Sequence, residues 1–76
     1  MGIVYQTGVE CIGKARNYYV FHNTIMGRYG VKRDDDRNES GDIVPPHCGY
    51  TLETALHNKG IPAHEIAAFK RKAGIA

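Results

Sequence analysis

Long apolar runs and abundant cysteine are both missing from this chain. No stretch approaches the roughly 20 apolar residues that a helix needs to cross a bilayer, so we expect no membrane partner. Only Cys11 and Cys48 carry thiols, and no apolar leader follows Met1. We therefore expect a cytosolic protein in which both thiols are reduced.

The chain is also short. Its 76 residues can form one domain, residues 1–76, because a domain of this size buries only about 60% of the surface that its unfolded chain exposes. A large catalytic pocket has little room in such a domain, so we expect neither an enzyme nor a small-molecule substrate. The composition, 42% hydrophobic and 24% charged, is typical of a globular domain.

The formal net charge is only +2, and its sign changes along the chain. The segment through Arg33 has five basic residues and one acidic residue. The segment from Asp34 to Glu53 has one basic and six acidic residues, and the segment from Thr54 onward has four basic residues and one acidic residue. This layout can place cations on one face. The total is nevertheless well below what a strongly nucleic-acid-binding domain carries.

The first half of the chain carries a helical pattern. Thr7 to Glu10 fits a capping box, and apolar or amphipathic residues then recur at three- and four-residue spacing through Tyr29. The pattern predicts a helix near Val9 to Met26. The alternative is a β-hairpin or meander, with strands near Val9 to Ile12 and Asn17 to His22, because the stretch NYYVFHNT is rich in β-branched and aromatic residues.

Three further segments complete this part of the chain. Met1 to Gln6 is apolar enough to form a short N-terminal strand. Residues 32–42, from Lys32 to Asp42, are rich in aspartate, asparagine, serine and glycine, which predicts an exposed and mobile acidic loop. Pro45 and Pro46 then forbid a helix, so the segment IVPPHCGY is expected to be a rigid connector, or to contain a short edge strand at Ile43 and Val44.

Two helices are expected near the C-terminus. The first, near Thr51 to Asn58, begins at a good N-cap residue and ends before Gly60. The second, near Pro62 to Ala73, begins at a proline and ends before Gly74. We expect Leu56 to face inward from the first helix, Gly60 to relax the turn, and Ile61, Ile66 and Phe69 to fill the angle between the helices. This pattern resembles the helix-turn-helix motif, whose second helix enters the major groove of DNA.

The predicted fold class is mainly α. It consists of a small three-helix domain with a helix-turn-helix-like C-terminal pair and a short N-terminal strand. The alternative is an α+β fold, in which an N-terminal hairpin or meander precedes the two helices. One unit is expected in both cases, because no segment is long enough to act as a linker between domains.

A DNA-binding function would use residues of the C-terminal helix pair. His64 and Arg71 can donate hydrogen bonds to base edges, while Lys59, Lys70 and Lys72 suit phosphates. The ordinary structural interpretation is a packing corner, in which the basic residues of the last turn complement the helix dipole. The small net charge favours this second interpretation.

Metal binding and covalent catalysis have little support. Structural zinc sites use close ligand pairs such as C-x₂-C, and here only His47 and Cys48 are adjacent, so we expect no metal site and no cofactor. The same two residues suggest an activated thiol, but no third, orienting residue is identifiable. The acidic loop does not match a calcium loop, because Glu39 replaces the required glycine and Pro45 the final acid.

The predicted protein interface consists of Tyr18, Val20, Phe21 and Arg28. Tyrosine and arginine are enriched at interface hot spots. Val20 and Phe21 fall outside the main apolar face of the predicted helix, where a second layer or another chain must cover them. We therefore expect a non-catalytic binding protein, acting as an adaptor or inhibitor of a larger macromolecule or by self-association, with a DNA-binding regulator as the alternative.

Overall fold

The chain forms an antiparallel sheet followed by two helices. The computed structural model describes residues 2–75, which contain β1 (Val9–Ala15), β2 (Tyr18–Asn23), β3 (Arg28–Arg33), α1 (Leu52–His57) and α2 (Ala63–Ala73). The strands lie in the order β1-β2-β3, with both neighbouring pairs antiparallel. The architecture is therefore α+β.

The prediction of a mainly α, three-helix domain is wrong. The segment near Val9 to Met26 forms β1, β2 and the start of a turn, in place of one long helix. Gly13 has φ of +142°, a conformation that no α-helix contains, and the register of β1 against β2 shifts there in a β-bulge. The apparent capping box instead belongs to a tight turn, in which the Val9 amide donates to the Gln6 carbonyl at 3.0 Å.

The central strand β2 is buried on both faces. Val20 and Phe21 have no exposed surface, and successive residues of a strand point to opposite sides of the sheet. On the helix side of the sheet, Val20 packs in a cluster with Leu52, Leu56, Ile61, Ile66 and Phe69. The cluster around Phe21 contains Ile43 and Cys48. A run of adjacent apolar residues is what such a two-sided environment requires.

The segment after β3 covers the face of the sheet opposite the helices. A Cβ placed on Gly30 would lie 2.6 Å from the His47 carbonyl oxygen, so this backbone lies directly on β3. Further along, the Tyr29 amide donates to the Tyr50 carbonyl at 2.7 Å, and the Tyr50 amide donates in return at 3.1 Å. The second cluster is thus closed by irregular chain where a second layer of helices would otherwise be needed.

The acidic loop begins later than predicted. Lys32 and Arg33 belong to β3, where they pair with Tyr19 and Tyr18 of β2. The remaining loop is exposed along most of its length, and the Asn38 carboxamide oxygen accepts hydrogen bonds from two later backbone amides at 3.0 and 2.9 Å. The loop therefore has a defined local structure.

The N-terminal segment is held by the chain that follows this loop. The Ile43 amide donates to the Gly2 carbonyl and the Val4 amide donates to the Ile43 carbonyl, each at 2.8 Å. These bonds form one parallel bridge between Ile3 and Ile43. The predicted N-terminal strand is reduced to this bridge, and its first residue, Met1, lies outside the described residues.

Both C-terminal helices form close to their predicted positions. The Thr51 hydroxyl accepts a hydrogen bond from the Thr54 amide at 3.2 Å as an N-cap, and Gly74 ends α2 with φ of +75°. Pro62 is the N-cap residue of α2 and precedes its first helical residue. Thr51 and Gly74 therefore cap their helices as predicted, whereas Pro62 makes no side-chain capping hydrogen bond and α1 has Asn58 as its C-cap.

The helix-turn-helix prediction is nevertheless wrong. Helix α1 has only six residues, and the apolar residues assigned to the angle between two crossing helices are buried against the sheet instead. Ile61, Ile66 and Phe69 all belong to the cluster around Val20. The helix pair is one layer of an α+β core, and its shared apolar side faces β2.

Candidate functional site

Two highly exposed apolar side chains lie at the turn between β2 and β3. We call residues 24–27 the hairpin tip. Ile25 is 77% exposed and Met26 is 63% exposed. Two adjacent, exposed apolar side chains of this size form a candidate contact surface for a partner.

Asn23 fixes the backbone of the hairpin tip. Its carboxamide oxygen accepts hydrogen bonds from the Ile25 and Met26 amides, both at 3.0 Å. Its carbonyl accepts from the Gly27 amide at 2.8 Å, and Gly27 has φ of +68°, which glycine adopts without strain. Asparagine commonly organises turns in this way. The two apolar side chains are thus presented on an ordered backbone.

A second turn supports the hairpin tip from the side. The Gly8 carbonyl accepts hydrogen bonds from the Thr24 amide at 2.7 Å and from the Thr24 hydroxyl at 3.1 Å. A Cβ on Gly8 would lie 2.6 Å from the Ile25 Cδ1 atom, so Ile25 lies across this glycine. Tyr5, which is 83% exposed, directly precedes this turn in the sequence.

The stem of the hairpin is also braced. The rings of His22 and Tyr29 stack with their centroids 4.4 Å apart and are nearly parallel. They are directly opposite each other in the β2–β3 register, one pair further into the sheet than Asn23 and Arg28. The apolar tip therefore projects from a sheet whose end is closed by aromatic contact.

Of the predicted protein-interface residues, only Arg28 is well exposed. Val20 and Phe21 have no exposed surface, so they are core residues and not contact residues. Tyr18 is half-buried, packs against the helix-side cluster and lies under the Lys59 ammonium, which is 5.9 Å from its ring centroid. Arg28 adjoins the hairpin tip and forms no ion pair with any residue between 2 and 75.

The residues predicted to contact nucleic acid are dispersed. The Lys70 ammonium is 2.6 Å from a Glu53 carboxylate oxygen, and this contact lowers the pKa of Glu53 below its ordinary value. Lys59 lies over Tyr18, as described above, while Lys72 lines a cleft between α2 and β1. His64 and Arg71 are exposed on α2. The structure therefore does not collect these side chains on one surface.

A groove between α1 and α2 is a further candidate site, and we call it the interhelical groove. Its volume is about 470 Å³. It is lined by Glu53, Thr54 and His57 of α1 and by Ala63, Ile66, Ala67 and Lys70 of α2. The α2 residues recur at the three- and four-residue spacing of one helical face. The groove is thus an open, mainly apolar depression between the helices, with the Glu53–Lys70 ion pair among its lining residues.

The two thiols have different environments. Cys48 is only 5% exposed, and its Sγ lies 3.9 Å from the Phe21 carbonyl oxygen and 3.5 Å from that of Pro46. Burial raises the pKa of the Cys48 thiol, which disfavours the thiolate. Cys11 is exposed on β1. Cys48 is therefore a packing residue of the second cluster.

Metal-binding clusters and membrane-spanning helices are both absent from the part of the chain that is described. Residues 2–75 contain no group of three or more His, Cys, Asp or Glu side chains arranged to hold a metal ion. Neither helix in that range combines the length and apolarity needed to cross a bilayer.

Sequence reasoning missed the main residues of both sites. The helical prediction places Ile25 and Met26 on the apolar face of the first helix. The local signal for a turn was present, because Asn23 and Gly27 flank these two residues and both types favour turns. The groove residue Ile66 was predicted to fill the angle between the two helices, but its position beside open space depends on how α1 and α2 pack.

Comparison of the chain with protein-family models, with curated proteins and with solved structures finds no match. Function must therefore be inferred from the geometry of the two sites and from the chemistry of their side chains.

Proposed function

We propose that this chain is a small non-catalytic protein-binding domain that inserts its hairpin tip into an apolar pocket of a larger protein. The observation that carries the proposal is the exposure of Ile25 and Met26 on a backbone fixed by the Asn23 side chain. A partner protein would bind by burying these two side chains. The domain would then serve as an adaptor or as an inhibitor of that partner.

The energetics favour the hairpin tip as an anchor. Full burial of an isoleucine or methionine side chain contributes about 1.5–3 kcal/mol, and most of the Ile25 and Met26 surface is still available. The hydrogen bonds to Asn23 hold the backbone in one conformation before binding. Less conformational entropy is therefore lost on association than with a mobile loop.

Arg28 indicates the kind of pocket that fits. Its side chain is exposed beside the hairpin tip and has no ion-pair partner among the described residues. Arginine and methionine are both enriched at protein interfaces. We therefore propose a pocket with an apolar floor and at least one carboxylate on its rim, placed to form a bidentate contact with Arg28.

A non-catalytic role fits the chemistry near the hairpin tip. The side chains that it presents are apolar, and Cys48 is buried with a raised pKa. The proposal retains the cytosolic setting inferred from the sequence, because Cys11 and Cys48 are both free and cytosolic thiols are kept reduced. We therefore propose both a cytosolic location for the domain and a protein partner for its hairpin tip.

The test compares two exposed apolar positions. Met26→Asp places a charge at the hairpin tip, whereas Val44→Asp makes the same kind of change at a residue that is 40% exposed in the segment after β3. A photo-crosslinking residue at position 26 is used to identify the partner, and the affinity of the purified pair is then measured by calorimetry. Met26→Asp is expected to weaken binding by about 30-fold or more, and Val44→Asp by less than about threefold.

Two results would contradict the proposal. Equal losses in the two variants would show that the hairpin tip is not the anchor. The second result is crosslinking only to another copy of this chain, together with a concentration-dependent dimer in sedimentation experiments. It would show that the hairpin tip mediates self-association and does not bind a larger protein. Circular dichroism of each variant checks that the fold is retained.

A further inference from the structure

We propose that the interhelical groove binds a short acidic segment of a partner protein, which inserts one large apolar side chain between α1 and α2. This site shares no lining residue with the hairpin tip within residues 2–75. It therefore adds a second recognition surface to the domain, and it stands independently of the function proposed above.

The shape of the groove determines the apolar part of the ligand. Ile66 is 6% exposed and forms part of the floor, and the short side chains of Ala63 and Ala67 leave the space above it open. The resulting volume of about 470 Å³ lies within the range of about 300–1,000 Å³ that is common for ligand pockets. It accommodates one aromatic or large aliphatic side chain with its flanking backbone.

One end of the groove offers an exchangeable cation. The Lys70 ammonium is paired with Glu53 across the two helices, and 58% of the Glu53 side chain is exposed. An exposed ion pair of this kind contributes little to stability in water. A carboxylate of the partner can therefore replace Glu53 as the acceptor for Lys70 at small cost.

The unpaired charges of the helix pair, most of them outside the groove itself, favour an acidic segment. Both acids of the helix pair are already engaged, Glu53 with Lys70 and Glu65 with Arg16, whose Nε donates to the Glu65 carboxylate at 2.8 Å. The helix-pair charges without an ion pair among the described residues are all cations, namely Lys59, Arg71 and Lys72. Carboxylates on the ligand are thus attracted, and lysines or arginines are repelled.

Nucleic acid is a poorer fit to this site. Phosphates require cations on one continuous surface, but Lys72 lies on the β1 side of α2 and Lys59 lies over Tyr18. The floor at Ile66 is apolar and offers nothing to a phosphodiester backbone. An acidic peptide can use both the apolar floor and the Lys70 ammonium.

The test is a titration of the ¹⁵N-labelled protein followed by NMR. The probe is a short synthetic peptide in which one tryptophan is flanked by aspartates and glutamates. Three controls are a peptide with alanine in place of the tryptophan, a peptide with lysines in place of the acids, and a duplex DNA. We expect only the acidic tryptophan peptide to shift the amides of the groove-lining residues, with a Kd below about 1 mM.

Matched variants locate the binding. Ala67→Phe fills the groove, while Ala68→Phe places the same side chain on the next residue, which lines the cleft toward β1. Lys70→Gln removes the cation inside the groove, and Lys72→Gln removes one outside it. Ala67→Phe and Lys70→Gln are each expected to weaken binding by about tenfold, and the two controls by less than about threefold.

Several outcomes would overturn the proposal. They are the absence of groove shifts with the acidic tryptophan peptide, equal binding of the alanine or lysine peptide, stronger groove shifts with DNA than with any peptide, and undiminished binding by Ala67→Phe. The dispersed NMR spectrum shows whether each variant is folded. If Ala67→Phe is not, Lys70→Gln against Lys72→Gln decides the question.

Discussion

Replacement of Gly30 by alanine tests whether the segment after β3 covers the sheet. Gly30 is buried in β3, and a Cβ at this position would lie 2.6 Å from the His47 carbonyl oxygen and 3.2 Å from Pro46 Cγ. The obstructing atom belongs to backbone directly after two prolines, whose rings restrict φ. The segment therefore has little freedom to move away from an added methyl group.

The expected change in stability is a balance of two opposing effects. A methyl group forced into a packed site costs about 1–3 kcal/mol. Alanine is otherwise better than glycine inside a strand by about 0.5–1 kcal/mol, because glycine loses more backbone entropy on folding. The clash outweighs the entropy gain, so Gly30→Ala should reduce the free energy of unfolding by about 1–2 kcal/mol. For a domain of this size the loss lowers Tm by about 5–15 °C.

Gly49→Ala is the matched control. A Cβ on Gly49 would also lie 2.6 Å from a neighbouring atom, but this atom is Nε2 of the His47 side chain. His47 is exposed, so its imidazole can rotate away, and the expected change is within about 0.5 kcal/mol. Urea unfolding followed by circular dichroism measures both variants. A Gly30→Ala protein as stable as the parent would refute the reasoning, because it would mean that His47 does not lie on β3.

Two further predictions concern single titratable groups. Iodoacetamide at neutral pH should modify Cys11 in the folded protein and Cys48 only after unfolding, because burial both covers Cys48 and raises its pKa; mass spectrometry showing equal native modification would contradict this. The Arg16 guanidinium lowers the pKa of Glu65 below its ordinary value of 4.5, so this pair stabilises the fold above that pH and its contribution is lost as the pH falls through the lower pKa of the folded state. Glu65→Gln should therefore show a smaller loss of stability than the parent between pH 4.5 and more acidic values, and an unchanged acid profile in urea titrations would count against the contribution.

The sequence was a good guide to the helices and a poor guide to the sheet. Helix ends depend on local capping, and Thr51 and Gly74 act at the predicted positions. The β2 strand has no alternation of apolar and polar residues, because Val20 and Phe21 are buried on opposite faces. Without that alternation, the three- and four-residue spacing of the region is typical of a helix. Local propensity, through the β-branched and aromatic residues, indicated the observed strands more reliably than periodicity did.

The candidate sites were harder to predict for a related reason. Val20 and Phe21 do not fit the predicted helix face, and this misfit suggested an exposed patch. It was in fact the mark of a strand covered on both sides by α1, α2 and the chain near Ile43. Ile25 and Met26 fit the helix face, so the pattern gave no sign of their exposure. Exposure is a tertiary property, since it depends on which segments cover a residue.

The charges of the chain explain why contact chemistry, rather than long-range attraction, should dominate its recognition. The alternating basic and acidic segments are joined by ion pairs between Lys14 and Asp34, Arg16 and Glu65, Lys32 and Asp36, Arg33 and Asp35, and Lys70 and Glu53. Each pair is at least partly exposed and contributes little to stability on its own, but together the pairs neutralise five cations and five anions. Arg28 is left at the hairpin tip and a few cations are left around α2. Affinity at the hairpin tip must therefore come mainly from burial of Ile25 and Met26, with Arg28 selecting the pocket that receives them.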